Sequence, residues 1–462
     1  MDGIDRMGHV AALSDSRILP TLLGFPPGNI ILAGGGPDTL AEDLTAAGHT
    51  VTLAGGLLAG DPAPEASQDA VVLLADLGRE RLPGVLAAAR RLLRDKGRLV
   101  VASSLDTTPQ ELAVGLSEAG FVILKPFLAR KESFFVREYR EGDEEQILPM
   151  FCKSFYVERS LERWRWEYLE NPHGRLRISE AFTEDGRLAA HYAGYPVRFH
   201  SEVGGETRKI PALQIGDTMT EPAFRHVGRG PTSLLGRTVR HFYARFCEGQ
   251  VGFNYGFNTG NIQRFSTSFV GARRLEDLPF HVLDLGKQTI EAPGGLLSRL
   301  AGYRVERISH FDERWDAFFQ RVSSAYRLLI ERDARYLEWR YARCPDDYFS
   351  YAVFRRKKLV GWSVFRLKEE RLRWGDALFD PRYPDAVRHL LARALAEHPQ
   401  AKTLETWIPS RPGWWQERVL SLGFESRPEP DDLGFVFVPF GEDPEEDFRA
   451  HLYYTMGDSD LF

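Results

Sequence analysis

The residues best placed to do chemistry are Arg225-His226-Val227-Gly228-Arg229-Gly230, a glycine-rich run between an apolar stretch at 212–219 and a helical pattern carrying Leu234, Leu235, Val239 and Phe242. A loop that feeds a helix in this way leaves several backbone N–H groups unpaired at one spot, and the helix dipole adds partial positive charge there. Such a spot favours a pyrophosphate. Glycines permit close backbone approach and positive φ, and Arg225 and Arg229 supply cationic donors. The bland alternative is a glycine-rich turn with solvated arginines. Around the loop, Asp217 and Tyr255 are the titratable candidates on the preceding and following strands. His191, His200 and His226 show no ligand spacing with a carboxylate or Cys, so no metal is expected.

The elements that would position these residues occur twice. Trp166, Tyr168 and Pro172 recur with the same spacing as Trp339, Tyr341 and Pro345. Each set precedes a strand, a polar turn and a second strand, at 178–182 and 188–195, then at 351–354 and 359–365. A Gly-Asp pair with a later Pro follows in both, Gly216-Asp217 to Pro222 and Gly375-Asp376 to Pro381, and then a helix, at 232–246 and 384–397. We read two copies of one α+β unit. The second copy carries Pro381-Arg382-Tyr383-Pro384-Asp385-Ala386-Val387 where the first has its glycine loop, and two prolines remove donors and stiffen the turn. Trp164, Trp166, Tyr168, Trp414 and Trp415 would suit a substrate cage, but their place at repeat landmarks favours core packing.

The region before the repeat is different in kind. Residues 1–138 contain neither Trp nor Tyr, while all nine Trp and all sixteen Tyr follow. Apolar strands at Asn29–Ala33, 51–53, 70–76, 97–103 and 120–124 alternate with helices at 38–47, 83–94 and 109–119, which predicts a doubly wound parallel sheet. The fold class expected is therefore α/β followed by α+β: a Rossmann-like sheet and then two mixed-sheet domains.

Length and composition set the outer limits. At 462 residues the chain should hold two to four domains. Its 59 Lys+Arg against 65 Asp+Glu give a net charge of −6, which supplies no bulk attraction for nucleic acid or anionic lipid. No apolar run approaches the ~20 residues of a membrane span, and MDGIDRMGHV lacks an apolar signal region, so a cytoplasmic protein is expected, with a homo-oligomer left open. Cys152, Cys247 and Cys344 stand about a hundred residues apart and fit core packing better than a disulfide or zinc site.

On its loop, its Thr220-Glu221-Pro222 lead-in and the later run from Phe253 through Asn258 to Gly271, the stretch 134–285 resembles the GCN5-related N-acetyltransferase (GNAT) superfamily. The resemblance implies acetyl-CoA or another short acyl-CoA as co-substrate, with contacts at Thr218, Met219, Thr220, Arg225, His226, Val227, Gly228, Arg229, Gly230, Pro231 and Asn258. It implies a tandem arrangement: a GNAT domain with the acyl-CoA loop at 134–290, a degenerate GNAT domain at 291–440 and a tail at 441–462. Residues 1–133 resemble a class I S-adenosylmethionine methyltransferase at Ile30 to Pro37, but Leu32 replaces the acidic residue before the glycines. Ala54-Gly55-Gly56 stands where the ribose-binding carboxylate belongs. S-adenosylmethionine is not expected there, and the domain reads as a degenerate relic.

The activity the resemblance implies is acetyl transfer to a primary amine of a small molecule, an amino sugar being one guess. An alkylamine is neutral only about once in 10³ molecules at pH 7, so a base is useful. Asp217 is the candidate base and Tyr255 the candidate acid for the leaving thiolate. The tyrosine that many members carry after the Asn is absent from Arg264-Phe265-Ser266-Thr267-Ser268-Phe269. The tandem arrangement resembles the enhanced-intracellular-survival acetyltransferases, which implies that the apolar segment Tyr453 to Phe462 docks on the first copy with Asp458, Asp460 or the Phe462 carboxylate near the acceptor. A docking tail without catalysis is the alternative. Other function classes left open are an aminoacyl transferase acting on peptidoglycan precursors (FemABX-like) and a non-catalytic acyl-CoA sensor or scaffold.

Overall fold

The computed structural model describes residues 15–34, 38–55, 57, 63–74, 77–102, 105–106, 108–125, 128–292 and 302–462. The chain forms two compact units, Met1–Glu158 with Ile178–Tyr192 and Asp217–Glu248, and Arg159–Arg177 with Ala193–Gly216 and Gly249–Phe462. Two long strands, Leu188–Ser201 and Arg208–Thr220, begin in one unit and end in the other. Among the described residues no helix is long and apolar enough to cross a membrane.

In the first unit a six-stranded sheet runs in the order Thr50–Ala54, Asn29–Ala33, Gln68–Leu73, Leu93–Val101, Leu128–Lys131, Phe121–Lys125. The first four are parallel, and Leu128–Lys131 reverses direction against Leu93–Val101. The central strands are continuous apolar runs because both faces are covered. Ile30, Leu32, Ala70 and Val72 pack with Ile18, Leu22, Leu40 and Leu44 of the helices Asp15–Leu23 and Asp38–Ala46. The alternate residues Ile31, Val71 and Leu99 pack with Val85, Leu86, Leu112 and Leu116 of Leu82–Leu92 and Pro109–Glu118. Gly35, Gly36, Pro37 and Gly56, on which the methyltransferase resemblance turns, lie outside the described residues, as do the expected strand ends 75–76 and 103. The strand Gln68–Leu73 ends before them, and Leu128–Lys131, too short and too basic to read as a strand, joins the sheet.

The second unit contains most of the repeat. One sheet there has the strands Arg273–Asp277, Gly434–Pro439, Phe253–Asn258, Arg208–Thr220 and Leu188–Ser201 side by side. The other runs Tyr303–Ile308, Phe349–Arg355, Lys358–Lys368, Arg371–Phe379, Thr403–Trp407, Phe280–Asp284, Glu425–Ser426. The two sequence copies exchange a strand. Gly434–Pro439, from the end of the second copy, lies between Phe253–Asn258 and Arg273–Asp277 of the first. Phe280–Asp284, from the end of the first, lies between Thr403–Trp407 and Glu425–Ser426 of the second. Each exchanged strand buries apolar residues in its host sheet, so the copies share their cores instead of folding side by side.

The repeated tryptophans meet. Trp166 and Trp339 stack with ring centroids 5.1 Å apart, and each indole N–H donates to the other's backbone carbonyl, at 2.7 and 2.9 Å. That reciprocity satisfies two buried indoles at once, and it accounts for the repeated landmark as core packing.

Candidate functional site

The glycine loop belongs to the first unit. A one-turn helix, Pro222–Phe224, leads into it, and Phe224 and Val227 rest on a small core of Val136, Ala181, Ala189, Ala190 and Leu234. The helix that follows, Leu234–Phe242, is shorter than the pattern 232–246 predicts because Gly230–Thr232 forms its own tight turn and Tyr243–Cys247 widens into a π-turn. Ser233 caps the helix: its hydroxyl accepts from the Gly236 amide at 3.1 Å and donates to the Gly230 carbonyl at 2.6 Å. The Arg240 guanidinium donates to the Pro231 carbonyl from one turn further on.

These contacts hold the loop by its carbonyls and leave its amides open. Among the described residues, the N–H groups of His226, Gly228, Arg229 and Gly230 have no acceptor. Gly228 and Gly230 have φ of +71° and +51°, and a Cβ on Gly228 would overlap the Thr232 carbonyl. Glycine is therefore required at 228. Arg225 is braced by its Nε on the Thr220 carbonyl at 3.2 Å, and His226 and Arg229 are exposed. Open amides beside two guanidinium groups at a capped helix can bind a phosphate-bearing ligand.

Asp217 begins the strand segment that enters the loop. It is buried and takes a left-handed φ of +48°, rare for a residue with a Cβ. Its carbonyl accepts from His191 at 2.8 Å, which requires the proton on Nδ1. Thr218 and Thr220 are half-buried and Met219 is buried, the alternation of a strand. In the sequence His191 is weighed only as a metal ligand and carries no sign of this contact, because its partner is a backbone atom 26 residues away.

Tyr255, Asn258 and Phe462 lie in the second unit. Asn258 ends the strand Phe253–Asn258 and donates to Ser266 Oγ at 3.3 Å, which ties it to the helix Gly260–Phe269. Tyr255 is fully buried on the face of Phe435, and its hydroxyl donates to the Asp458 carbonyl at 3.0 Å. Burial pushes its phenol well above the ordinary tyrosine value. The tail reaches first-copy residues here: Gln214 donates to Asp460 at 3.0 Å, and a Cβ on Gly216 would lie 2.8 Å from the Asp460 carboxylate. On the second copy, a Cβ on Gly375 would overlap the Phe462 ring. The repeated glycine of the Gly-Asp pair thus gives the tail room on both copies.

Two buried arginines fasten that tail. Arg332 donates to Asp376 at 3.0 Å and to Asp458 at 2.7 Å. Burial works against its charge, and the two carboxylates more than restore it. Arg340 donates to the carbonyls of Gly457 and Ser459 and to the Phe462 backbone oxygen, which also accepts from Tyr348 at 2.6 Å. Burial raises the Asp458 carboxyl to about 6, against the pull of Arg332. Neither arginine was singled out in the sequence, since their partners lie more than forty residues away.

His173, Glu331 and Asp333 bring three donor atoms within 4.8 Å of one another. Lys209 pairs with Glu331 at 2.6 Å, and burial with nearby Arg198, Arg335 and Lys209 pulls the His173 imidazole down to about 3. A site already supplied with three cations is a poor one for a metal ion.

The strands and helices place the chain in the mixed α/β class. It is similar to a conserved protein of unknown function from Enterococcus faecalis V583, described as a probable N-acyltransferase, with a TM-score of 0.50 and 10% identity over 67% of this chain and 73% of that one. At that identity the likeness is one of fold. A GCN5-related N-acetyltransferase from Anabaena variabilis gives 0.48 and 13% over 66% and 72%. The N-myristoyltransferase of Saccharomyces cerevisiae with bound myristoyl-CoA gives 0.44 and 12% over 66% and 83%. No family model matches the chain, and no curated protein matches it in sequence.

Proposed function

We propose that the protein is an acyl-CoA-dependent N-acyltransferase that moves an acetyl or other short acyl group from its CoA thioester to a primary amine of a small molecule. The observation that carries this reading is the loop with four open amides at a capped helix, for which the second copy has no counterpart. His226, Gly228, Arg229 and Gly230 would bind the CoA pyrophosphate through their N–H groups, with Arg225 and Arg229 neutralising it. Thr218, Met219 and Thr220 would offer backbone groups to the pantetheine arm, and Asn258 and Pro231 complete the expected set.

Transfer forms an amide N–C bond and breaks the C–S bond, so one proton must leave the amine and one must reach the departing thiolate. Asp217, whose strained backbone is fixed by His191, is our candidate for the first. Tyr255 is the candidate for the second, and its donation to the Asp458 carbonyl would have to be exchanged for it. The Phe462 carboxylate is held by a guanidinium, which weakens it as a base, so we assign the tail to positioning. Thiol release from acetyl-CoA, screened over amino sugars, aminoglycosides, polyamines and amino-acid amines, tests the reading. Turnover with any of them that falls at least about tenfold in Asp217→Asn supports it. CoA binding without turnover on the whole panel would leave a sensor.

A further inference from the structure

The second copy, which lacks the glycine loop, contains a cavity of about 390 Å³ on the face of its own sheet. Its volume lies in the range of small-molecule sites. The parallel strands beneath it pair Arg371–Arg373 with Thr403–Glu405, as Ala212–Gln214 pair with Phe253–Tyr255 in the first copy. In the first copy these positions are closed by the tail, Gln214 by the Asp460 carboxylate and Tyr255 by the Asp458 carbonyl. Arg373 and Glu405 occupy the same register positions in the second copy, and the tail leaves them facing the cavity.

Both side chains have unused capacity. Arg373 is half-buried and makes no hydrogen bond or ion pair among the described residues, although burial works against its charge. Glu405 is more than nine-tenths buried, and a single hydrogen bond, from Thr403 to Oε1, is its only one among the described residues. Withdrawing such groups from water without a full set of hydrogen bonds costs free energy that a ligand can recover. Phe280, Trp407, Met456 and Phe462 supply an apolar part of the wall. Across the whole lining three cationic side chains face three anionic ones, so the cavity suits a zwitterion better than a plain anion.

We propose that this cavity is a second small-molecule site, separate from the acyl-CoA loop, which binds a free apolar α-amino acid. Arg373 receives the carboxylate through its forked donors, Glu405 the ammonium, and Trp407 and Phe462 the side chain. Nothing in it depends on acyl transfer.

The test is calorimetry and saturation-transfer NMR on the full chain without CoA, with L-phenylalanine and L-leucine as probes and phenethylamine and phenylacetate as analogues lacking one charge. The amino acids should bind about tenfold or more tighter than either analogue, and Arg373→Gln should lose that binding. That variant should melt close to the wild type, because it removes a half-buried cation whose side chain makes no hydrogen bond or ion pair among the described residues. If it unfolds, Glu405→Gln decides: it should retain phenylacetate and lose the advantage of the amino acids. Absence of amino-acid binding, unchanged affinity in Arg373→Gln or Glu405→Gln, or phenylacetate binding as tightly as L-phenylalanine would each overturn the proposal.

Discussion

The two copies meet an identical problem, how to end a strand and start a helix, with opposite chemistry. In the first, Ser233 takes the Gly230 carbonyl and Arg240 the Pro231 carbonyl, while the amides of His226, Gly228, Arg229 and Gly230 have no acceptor among the described residues. In the second, Pro381 and Pro384 have no amide, the Tyr383 N–H bonds the Asp380 carbonyl, and the Arg382 N–H bonds the Asp380 carboxylate at 3.1 Å. Asp380 is almost fully buried. Burial would raise its carboxyl, but hydrogen bonds from the Arg382 side chain and backbone hold it below the ordinary range. The second turn thus carries its own anion, whereas the first leaves four amides open. On the proposed function, a handful of turn residues separates a binding copy from a structural one.

The tail extends the contrast, since its two arginine anchors, Arg332 and Arg340, come from the second copy. Deleting Leu461-Phe462 removes the Phe462 oxygen that Arg340 and Tyr348 hold and the ring buried over Gly375, and we expect a stability loss of about 3–5 kcal/mol by urea unfolding. Loss of transfer activity with unchanged stability would instead return the Phe462 carboxylate to the chemistry. Asp458 gives a smaller effect with a distinctive pH signature. Its folded value of about 6 lies above the unfolded value near 3.9, so the native state binds the extra proton. The stability this group contributes is complete below pH ~3.9 and is lost as pH rises to about 6. Asp458→Asn should remove about 2–3 kcal/mol of that slope, measured by unfolding at several pH values.

Asp380→Asn probes the second turn directly. It weakens the contacts to Arg382 and should cost about 1–3 kcal/mol by thermal unfolding while leaving CoA affinity unchanged. Smallest of all, Trp166→Phe and Trp339→Phe should each cost about 1 kcal/mol, since each removes one N–H from the reciprocal pair. Markedly unequal losses would break the symmetry we assign to that contact.

Local features of this architecture were legible in the sequence. The alternating runs of residues 29–124 marked strands and helices because both faces of that sheet are buried, and the glycine loop stood out because its conformation demands glycine at 228. The exchange of Phe280–Asp284 and Gly434–Pro439 was hidden, because an apolar strand carries no mark of which sheet it will join. So were Arg332 and Arg340, whose roles exist only when segments distant in sequence converge. Tyr255 was placed on the correct strand, but its hydroxyl partner is a tail carbonyl 203 residues away, which no spacing rule foretells.

On the proposed function, the first copy alone binds the CoA pyrophosphate, through the open amides of its glycine loop. Calorimetric titration of the full chain with acetyl-CoA tests it, comparing wild type with Gly228→Pro, which removes an amide and forbids the positive φ. The account requires one site per chain in the wild type and none in the variant, with the variant still folded by circular dichroism. Two sites, or a single site that survives in Gly228→Pro, would contradict it.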